Sequence, residues 1–259
     1  MAEVVIVPDV AAGGALAADA IEALVRDRPD AVLGLATGST PLAIWRALAT
    51  RGLDLGRVRG FALDEYVGLP DGDPRSYRAT IDAEVVAVLG MDPALVRVPG
   101  EGLAGAALAG AGAAYEAAIA EAGGVDLQVL GIGRTGHIGF NEPGSSLASR
   151  TRVKTLTAVT RRDNARFFDG DVDAVPLHCV TQGLGTILDA RRLVLLAFGE
   201  AKAAALAAAV EGPVTASMPA SVIQLHPDVL VIADEAAAGR LRFADYYREA
   251  WASRPEWAS

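Results

Sequence analysis

Val125-Asp126-Leu127-Gln128-Val129-Leu130 runs directly into Gly131-Ile132-Gly133-Arg134-Thr135-Gly136-His137-Ile138-Gly139-Phe140-Asn141-Glu142-Pro143, and the reading of this junction decides the fold. The first six residues are mostly apolar and bounded by glycine, the pattern of a strand buried on both faces of a parallel sheet. Sites in such sheets form beyond the carboxyl ends of the strands, which puts His137 and Glu142 at a pocket rim. Gly131, Gly133 and Gly136 also spell G-x-G-x-x-G, the dinucleotide-binding fingerprint. That fingerprint opens a helix and meets an acid about 20 positions on. Here Gly139, Pro143 and Gly144 forbid a regular helix, and Lys154-Thr155 stand where the acid belongs. The nicotinamide reading fails on context.

The chain has 259 residues, 52% of them hydrophobic, enough to bury one sizeable core without splitting. One α/β domain over residues 1–259 is expected. Aromatics make up only 5%, so the core is built from Ala, Val and Leu, as where helices pack tightly on parallel strands. A net charge of −9 argues against nucleic acid or an anionic membrane as partner, since either demands a basic face. It leaves room for one small anion in a local pocket. The single Cys179 precludes an internal disulfide. The opening Met1-Ala2-Glu3 carries no basic leader, and no stretch approaches the ~20 apolar residues of a membrane span. A soluble, cytoplasmic protein is expected.

Working outward, residues 4–7 read as a first strand and 11–27 as an amphipathic helix. A second strand, 31–36, enters Thr37-Gly38-Ser39-Thr40-Pro41, followed by a helix over 42–49 with Pro41 at its first position. Glycine for close approach, three hydroxyls and a helix N-terminus make a phosphate cradle. They equally make an ordinary N-cap with a tight turn, and both readings stay open on these residues alone. A strand over 58–63 empties into Asp64-Glu65-Tyr66. If the backbone stays extended, neighbouring side chains point oppositely, so one acid faces the pocket, and Asp64 is the choice. Ser76-Tyr77-Arg78 begins a short helix. Residues 103–122 read as a helix anchored by Tyr115 and Ile119, in which Gly105, Gly110 and Gly112 either permit close packing or weaken it.

Residues 145–155 are polar and basic, fitting either an anion site or a solvated edge. A short helix over 161–168 belongs to a possible cover spanning 156–180, and 172–179 reads as irregular around Pro176. Then come helix 181–192, strand 193–198, helix 201–211, strand 229–233, helix 235–247 and a polar tail containing Trp257. The chain has two lysines, Lys154 and Lys202, against twenty-one arginines. A demand for a compact ammonium at a phosphate explains that sparing, and so does chance. Strand and helix alternate without repeat or linker, giving a doubly wound, mostly parallel sheet with helices on both faces, a three-layer Rossmann-like arrangement.

Leu35-Ala36-Thr37-Gly38-Ser39-Thr40-Pro41, Leu63-Asp64-Glu65-Tyr66-Val67-Gly68-Leu69, Gly136-His137-Ile138-Gly139-Phe140-Asn141-Glu142-Pro143 and Ser146-Leu147-Ala148-Ser149-Arg150-Thr151 together resemble the glucosamine-6-phosphate deaminase family, with Gln224-Leu225-His226-Pro227 as a fifth motif. The resemblance spans most of the chain. It implies an isomerase-type fold and a reaction without cofactor or metal. That reaction turns glucosamine 6-phosphate and water into fructose 6-phosphate and ammonia. It makes Asp64 the base between C2 and C1, His137 the acid–base of ring opening, and Glu142 its orienting partner. Thr135 stands at a catalytic-loop position where many members carry aspartate, so His137 is expected to rely on Glu142 alone. Phosphate would fall to Thr37, Gly38, Ser39, Thr40, Arg166 and Lys202.

In some members an N-acetylglucosamine 6-phosphate effector binds between subunits, at residues corresponding to Ser145, Arg152, Lys154 and Thr155. The aromatic residue expected near the C-terminus has Arg248 as its nearest match. The family includes hexamers and monomers, so a homo-oligomer stays open. A galactosamine 6-phosphate isomerase and a 6-phosphogluconolactonase are the rival enzymes: ammonia release sets a deaminase apart from the lactonase, and only epimer preference sets it apart from the galactosamine enzyme. A sugar-phosphate sensor of transcription regulators would need a basic DNA-binding segment, and none precedes Val4.

Overall fold

The computed structural model describes residues 2–254. The end of the tail, 255–259 with Trp257, lies outside the described residues. The elements run β1 (Ala2–Val7), α1 (Val10–Asp27), β2 (Val32–Leu35), α2 (Ser39–Ala49), β3 (Arg59–Ala62), β4 (Asp64–Tyr66) and α3 (Tyr77–Ile81). A π-turn over Asp82–Val86 carries α3 into α4 (Ala87–Leu89). Then follow β5 (Val96–Arg97), α5 (Ala111–Glu121), β6 (Leu127–Gly131), β7 (Arg152–Thr155), α6 (Ala158–Asn164), β8 (His178–Thr181) and α7 (Leu184–Leu188). The chain closes with β9 (Arg192–Ala197), α8 (Ala203–Glu211), β10 (Val229–Asp234), α9 (Glu235–Ala238) and α10 (Ala244–Ala252).

Seven strands form a parallel sheet in the order β1-β10-β9-β6-β2-β3-β5, with β6 at its centre. The strand that opens onto the glycine loop therefore lies between β9 and β2, paired from Leu127 to Gly131 with Arg192 to Leu196. Every residue of β2 and the first four of β6 are buried, as expected where helices cover both faces. Gly34 on β2 leaves room for the Gln128 amide, since a Cβ there would lie 2.0 Å from Gln128 Oε1. Gly14 does the same between helices: its Cβ would come 2.7 Å from the Ala43 backbone, so α1 and α2 pack closely there.

Several boundaries differ from the sequence reading. Helix α2 starts at Ser39 with Gly38 as N-cap, so Pro41 is the third helical residue, where its missing N–H is still costless. Residues 103–122 divide into a 3-10 stretch, Gly105–Gly110, and α5. Of its glycines, Gly112 has the packing role: a Cβ there would sit 2.0 Å from the Thr151 carbonyl oxygen. The expected helix over 181–192 shrinks to α7, because His178–Thr181 is a strand. The expected helix over 235–247 divides in two, and the backbone N–H groups of Arg242 and Phe243 before α10 are capped by Glu211.

A second, three-stranded antiparallel sheet, β4-β8-β7, was not anticipated. It pairs Asp64 with Thr181 and Tyr66 with Cys179. A small apolar cluster of Tyr66, Phe140, Leu156, Ala165, Phe168, Val175 and Cys179 packs the segment 156–180 onto it. This layer stands over the carboxyl end of the main sheet and closes one side of the cleft described next.

Candidate active site

The carboxyl ends of β2, β3, β6 and β9 open into one cleft of about 880 Å³. After β2, Thr37, Gly38, Ser39 and Thr40 line one end. Gly38 has φ +103°, a conformation that side-chain-bearing residues rarely adopt, and it turns the chain into α2. The first N–H groups of α2 have no intrahelical partner and lie at the positive end of the helix dipole. Lys202, after β9, and Arg166, after α6, line the same cleft. Burial, followed by the charges of Arg166 and Arg134, pushes the Lys202 ammonium below its usual pKa. Cations crowded into a cleft beside a helix N-terminus create a local potential that favours an anion. Arg134, which the sequence reading left without a role, belongs to this group, and it is ion-paired with Asp163 of α6.

After β3, β4 stays extended, so alternation separates its two acids. Asp64 lines the cleft. Glu65 turns away and accepts three backbone N–H groups, from Tyr66 at 2.7 Å, Tyr77 at 3.0 Å and Arg78 at 2.8 Å, which fixes the start of α3. The Asp64 carboxylate has no hydrogen-bond donor among the described residues. Burial and, secondarily, the Glu65 charge push its pKa up to about 8. A bare carboxylate of raised pKa is a competent proton acceptor.

The loop after β6 folds the glycine motif around His137 rather than around a pyrophosphate. A Cβ on Gly133 would lie 2.1 Å from His137 Cε1, and one on Gly136, at φ +80°, would lie 1.9 Å from Met218 Sδ. His137 Nδ1 is 2.8 Å from Thr135 Oγ1 and 3.4 Å from Glu142 Oε1. Thr135 Oγ1 donates to Glu142 Oε2 at 3.1 Å. Its only proton is thereby committed to a carboxylate that cannot donate, so it accepts from His137 Nδ1–H. Nε2 is left as the acceptor for the cleft. Support of His137 by Glu142 alone is therefore corrected: the Thr135 hydroxyl shares Nδ1 with Glu142 Oε1 and is the nearer of the two. Burial pushes the Glu142 carboxyl up, but hydrogen bonds from His137, Thr160 and Thr135 and the His137 charge hold it below its usual value.

The cleft also receives Tyr66, Tyr77, Arg75, Thr160 and Asn164, none of them assigned from sequence. Tyr66 and Tyr77 lay within quoted motifs. Arg75, Thr160 and Asn164 carry no local signal, because chain folding over the sheet brings them in. His226 of the fifth motif lies elsewhere, buried with Nε2 2.7 Å from Ala190 O and Nδ1 accepting from Asp228 N. Among the residues expected at an effector site, Arg152, Lys154 and Thr155 share β7, with Thr155 Oγ1 3.3 Å from His178 Nδ1. Ser145 is buried on the turn after Glu142, and its hydroxyl has no partner among the described residues. Arg248 is paired with Glu235 at 2.6 Å and Asp245 at 2.9 Å.

A sugar-phosphate class of α/β enzyme is defined by this combination, an anion cradle beside a bare carboxylate and a relayed histidine at a sheet's carboxyl edge. The chain belongs to the family of glucosamine-6-phosphate isomerases and 6-phosphogluconolactonases, whose pattern matches residues 10–232. It is 56% identical over 267 residues to a glucosamine-6-phosphate deaminase of Bifidobacterium longum, covering 99% of each chain. It is 58% identical over 259 residues to the enzyme of that name from Mycolicibacterium smegmatis, covering 98% of each. Among solved structures, a monomeric glucosamine-6-phosphate deaminase superposes with a TM-score of 0.87 at 38% identity, over 92% of this chain and 99% of that one. Among the described residues no helix is long and apolar enough to cross a membrane.

Proposed function

We propose that this protein is a glucosamine-6-phosphate deaminase, carrying out aldose–ketose isomerisation and release of ammonia in amino-sugar catabolism. One observation carries the reading: a buried, hydrogen-bond-free Asp64 with a pKa near 8 shares its cleft with His137 and with Lys202. The 6-phosphate sits at Thr37, Gly38, Ser39 and Thr40 with Lys202 and Arg166. His137 Nε2 takes the proton of O1–H and returns it to the ring oxygen as the C1–O5 bond breaks, giving the open aldehyde. The aldehyde acidifies C2–H, and Asp64 takes that proton as the substrate's own ammonium passes one to O1, forming an enolamine. Asp64–H then delivers the proton to C1, leaving an iminium at C2. Water adds to C2 and ammonia departs, so substrate plus water gives fructose 6-phosphate plus ammonia. A carboxyl near pKa 8 is matched to both halves of this transfer, since it is neither too weak a base nor too weak an acid.

The same reading makes residues 156–180 a cover over the bound sugar, for which their share of the cleft lining is the support. It makes Ser145, Arg152, Lys154 and Thr155 a place for an N-acetylglucosamine 6-phosphate effector within a homo-oligomer. Two cations on β7 support an anion there. A cytoplasmic location goes with a phosphorylated substrate. The test is ammonia release from glucosamine 6-phosphate and from galactosamine 6-phosphate. Faster release from the first is expected. Release from neither, with hydrolysis of a 6-phosphogluconolactone, would overturn the reading.

A further inference from the structure

Helix α6 grips the catalytic loop at two points. Thr160 donates its hydroxyl to Glu142 Oε1, and Asp163 pairs with Arg134. The two residues stand at i and i+3, on one face of the helix, and their partners flank Thr135 and His137 in sequence. Thr160 is 3% exposed. Its own acceptor site is filled from the helix N-cap: Thr157 Oγ1 donates to Thr160 Oγ1 at 3.2 Å while accepting Thr160 N at 3.2 Å. That leaves the Thr160 proton for Glu142. The oxygen it holds, Oε1, is the one that faces His137 Nδ1, while Oε2 takes Thr135.

We propose that Thr160 is a positioning residue for His137, acting through Glu142. With Oε1 pinned by Thr160 and Oε2 by Thr135, the carboxylate plane is fixed, and both the Thr135 oxygen and Oε1 present lone pairs to Nδ1. The imidazole is thereby held in its Nδ1–H form with Nε2 turned to the cleft. The groups acting on Glu142 are His137 and Thr135 from its own loop and Thr160 from α6. When α6 leaves the loop, Oε1 is released and the tautomer is no longer specified. The position of a cover helix is thus read out at the proton-transfer atom, which links docking over the sugar to competence for ring opening. The kinetic part of this inference rests on the deaminase reading. The tautomer part needs no substrate.

The test uses Thr160→Val, which removes the hydroxyl at nearly constant shape, with Thr160→Ser as the conservative variant and Thr160→Ala in case the valine protein does not fold. Histidine ring 15N spectra of the free proteins at alkaline pH, where imidazole is neutral, report the tautomer. The protein has three histidines, and His137 is assigned by its loss in His137→Gln. The wild type and Thr160→Ser should show the Nδ1–H pattern at His137, and Thr160→Val or Ala a mixture of both tautomers. In parallel, ammonia release should fall about tenfold in kcat for Val with KM within twofold, and return in Ser. A His137 tautomer unchanged in Thr160→Val, or in Ala, overturns the proposal whatever happens to kcat. Failure of the wild type to release ammonia, with the tautomer shift intact, would instead overturn the deaminase reading and leave the positioning role standing.

Discussion

The imidazole of His137 rests on Gly133: a Cβ at that glycine would lie 2.1 Å from His137 Cε1 and 2.2 Å from Nε2. Gly133 is not among the glycines of positive φ, so an alanine there meets the ring without straining the backbone. Gly133→Ala should therefore leave folding nearly intact and push Nε2, the cleft-facing nitrogen, out of line. A displacement near 1 Å costs on the order of 10²-fold in rate. The expected outcome is a kcat lower by about that factor with Tm within ~3 °C of wild type. A fully active Gly133→Ala protein would show that His137 can work from another position.

Lys202 is the compact charge of the proposed phosphate site, half-buried in the cleft and crowded by Arg166 and Arg134. A planar guanidinium is bulkier and directs its donors in a fork, so Lys202→Arg keeps the charge and loses the fit. KM should rise about tenfold, with kcat falling less than threefold, because the phosphate is bound alike in the ground and transition states. Steady-state kinetics with the hexosamine phosphate decide this, and an unchanged KM would leave the sparing of this lysine to chance.

Gly112 lets α5 lie against the strand that follows the catalytic loop, its Cβ position being 2.0 Å from Thr151 O. Backbone cannot yield as a flexible side chain would. Gly112→Ala gains helix propensity but must push α5 from β7, for a net loss on the order of 1–3 kcal/mol. Thermal unfolding should show Tm lower by roughly 3–10 °C, with KM unchanged, since Thr151 does not line the cleft. A higher Tm would mean that the helix shifts freely.

These positions also mark where the sequence was readable. The run into Gly131 and the Thr37–Thr40 turn carry their signal locally, in apolar period and glycine placement, and both landed at the sheet's carboxyl edge. At Asp64 and Glu65 the alternation of side chains was legible because β4 is extended. The sheet containing β4 was not legible: its strands are three or four residues long, rich in polar groups, and Tyr66 meets Cys179 only across a long stretch of chain. A start such as that of α10, capped by Glu211 from 31 residues away, likewise leaves no mark nearby. Thr160 and Arg134 were missed for the same reason, since each takes its meaning from a partner on another element.

Removing the charge of Asp64 should raise stability while ending activity. Its pKa is about 8 in the folded protein against an ordinary value of 3.8. The folded state thus holds a proton that the unfolded chain has already lost between those two values. Stability contributed at this site is full below pH ~4, falls as pH rises, and is lowest above pH ~8. Asparagine cannot ionise and escapes that loss. Asp64→Asn should therefore match wild type near pH 4 and exceed it increasingly toward pH 8. The gain at pH 7 is at most about 4 kcal/mol, and less once water relaxes around the wild-type charge. The amide cannot accept the C2 proton, so kcat should drop by about 10³-fold or more while KM changes little, the phosphate contacts being elsewhere. In wild type, kcat/KM should rise with pH through the Asp64 titration and reach its plateau above pH ~8. Denaturant midpoints of both proteins from pH 4 to 9, set beside the pH–rate profile, decide the matter. If the two stability curves run parallel across that range, Asp64 is not held protonated by burial, and its role as a tuned base fails with it.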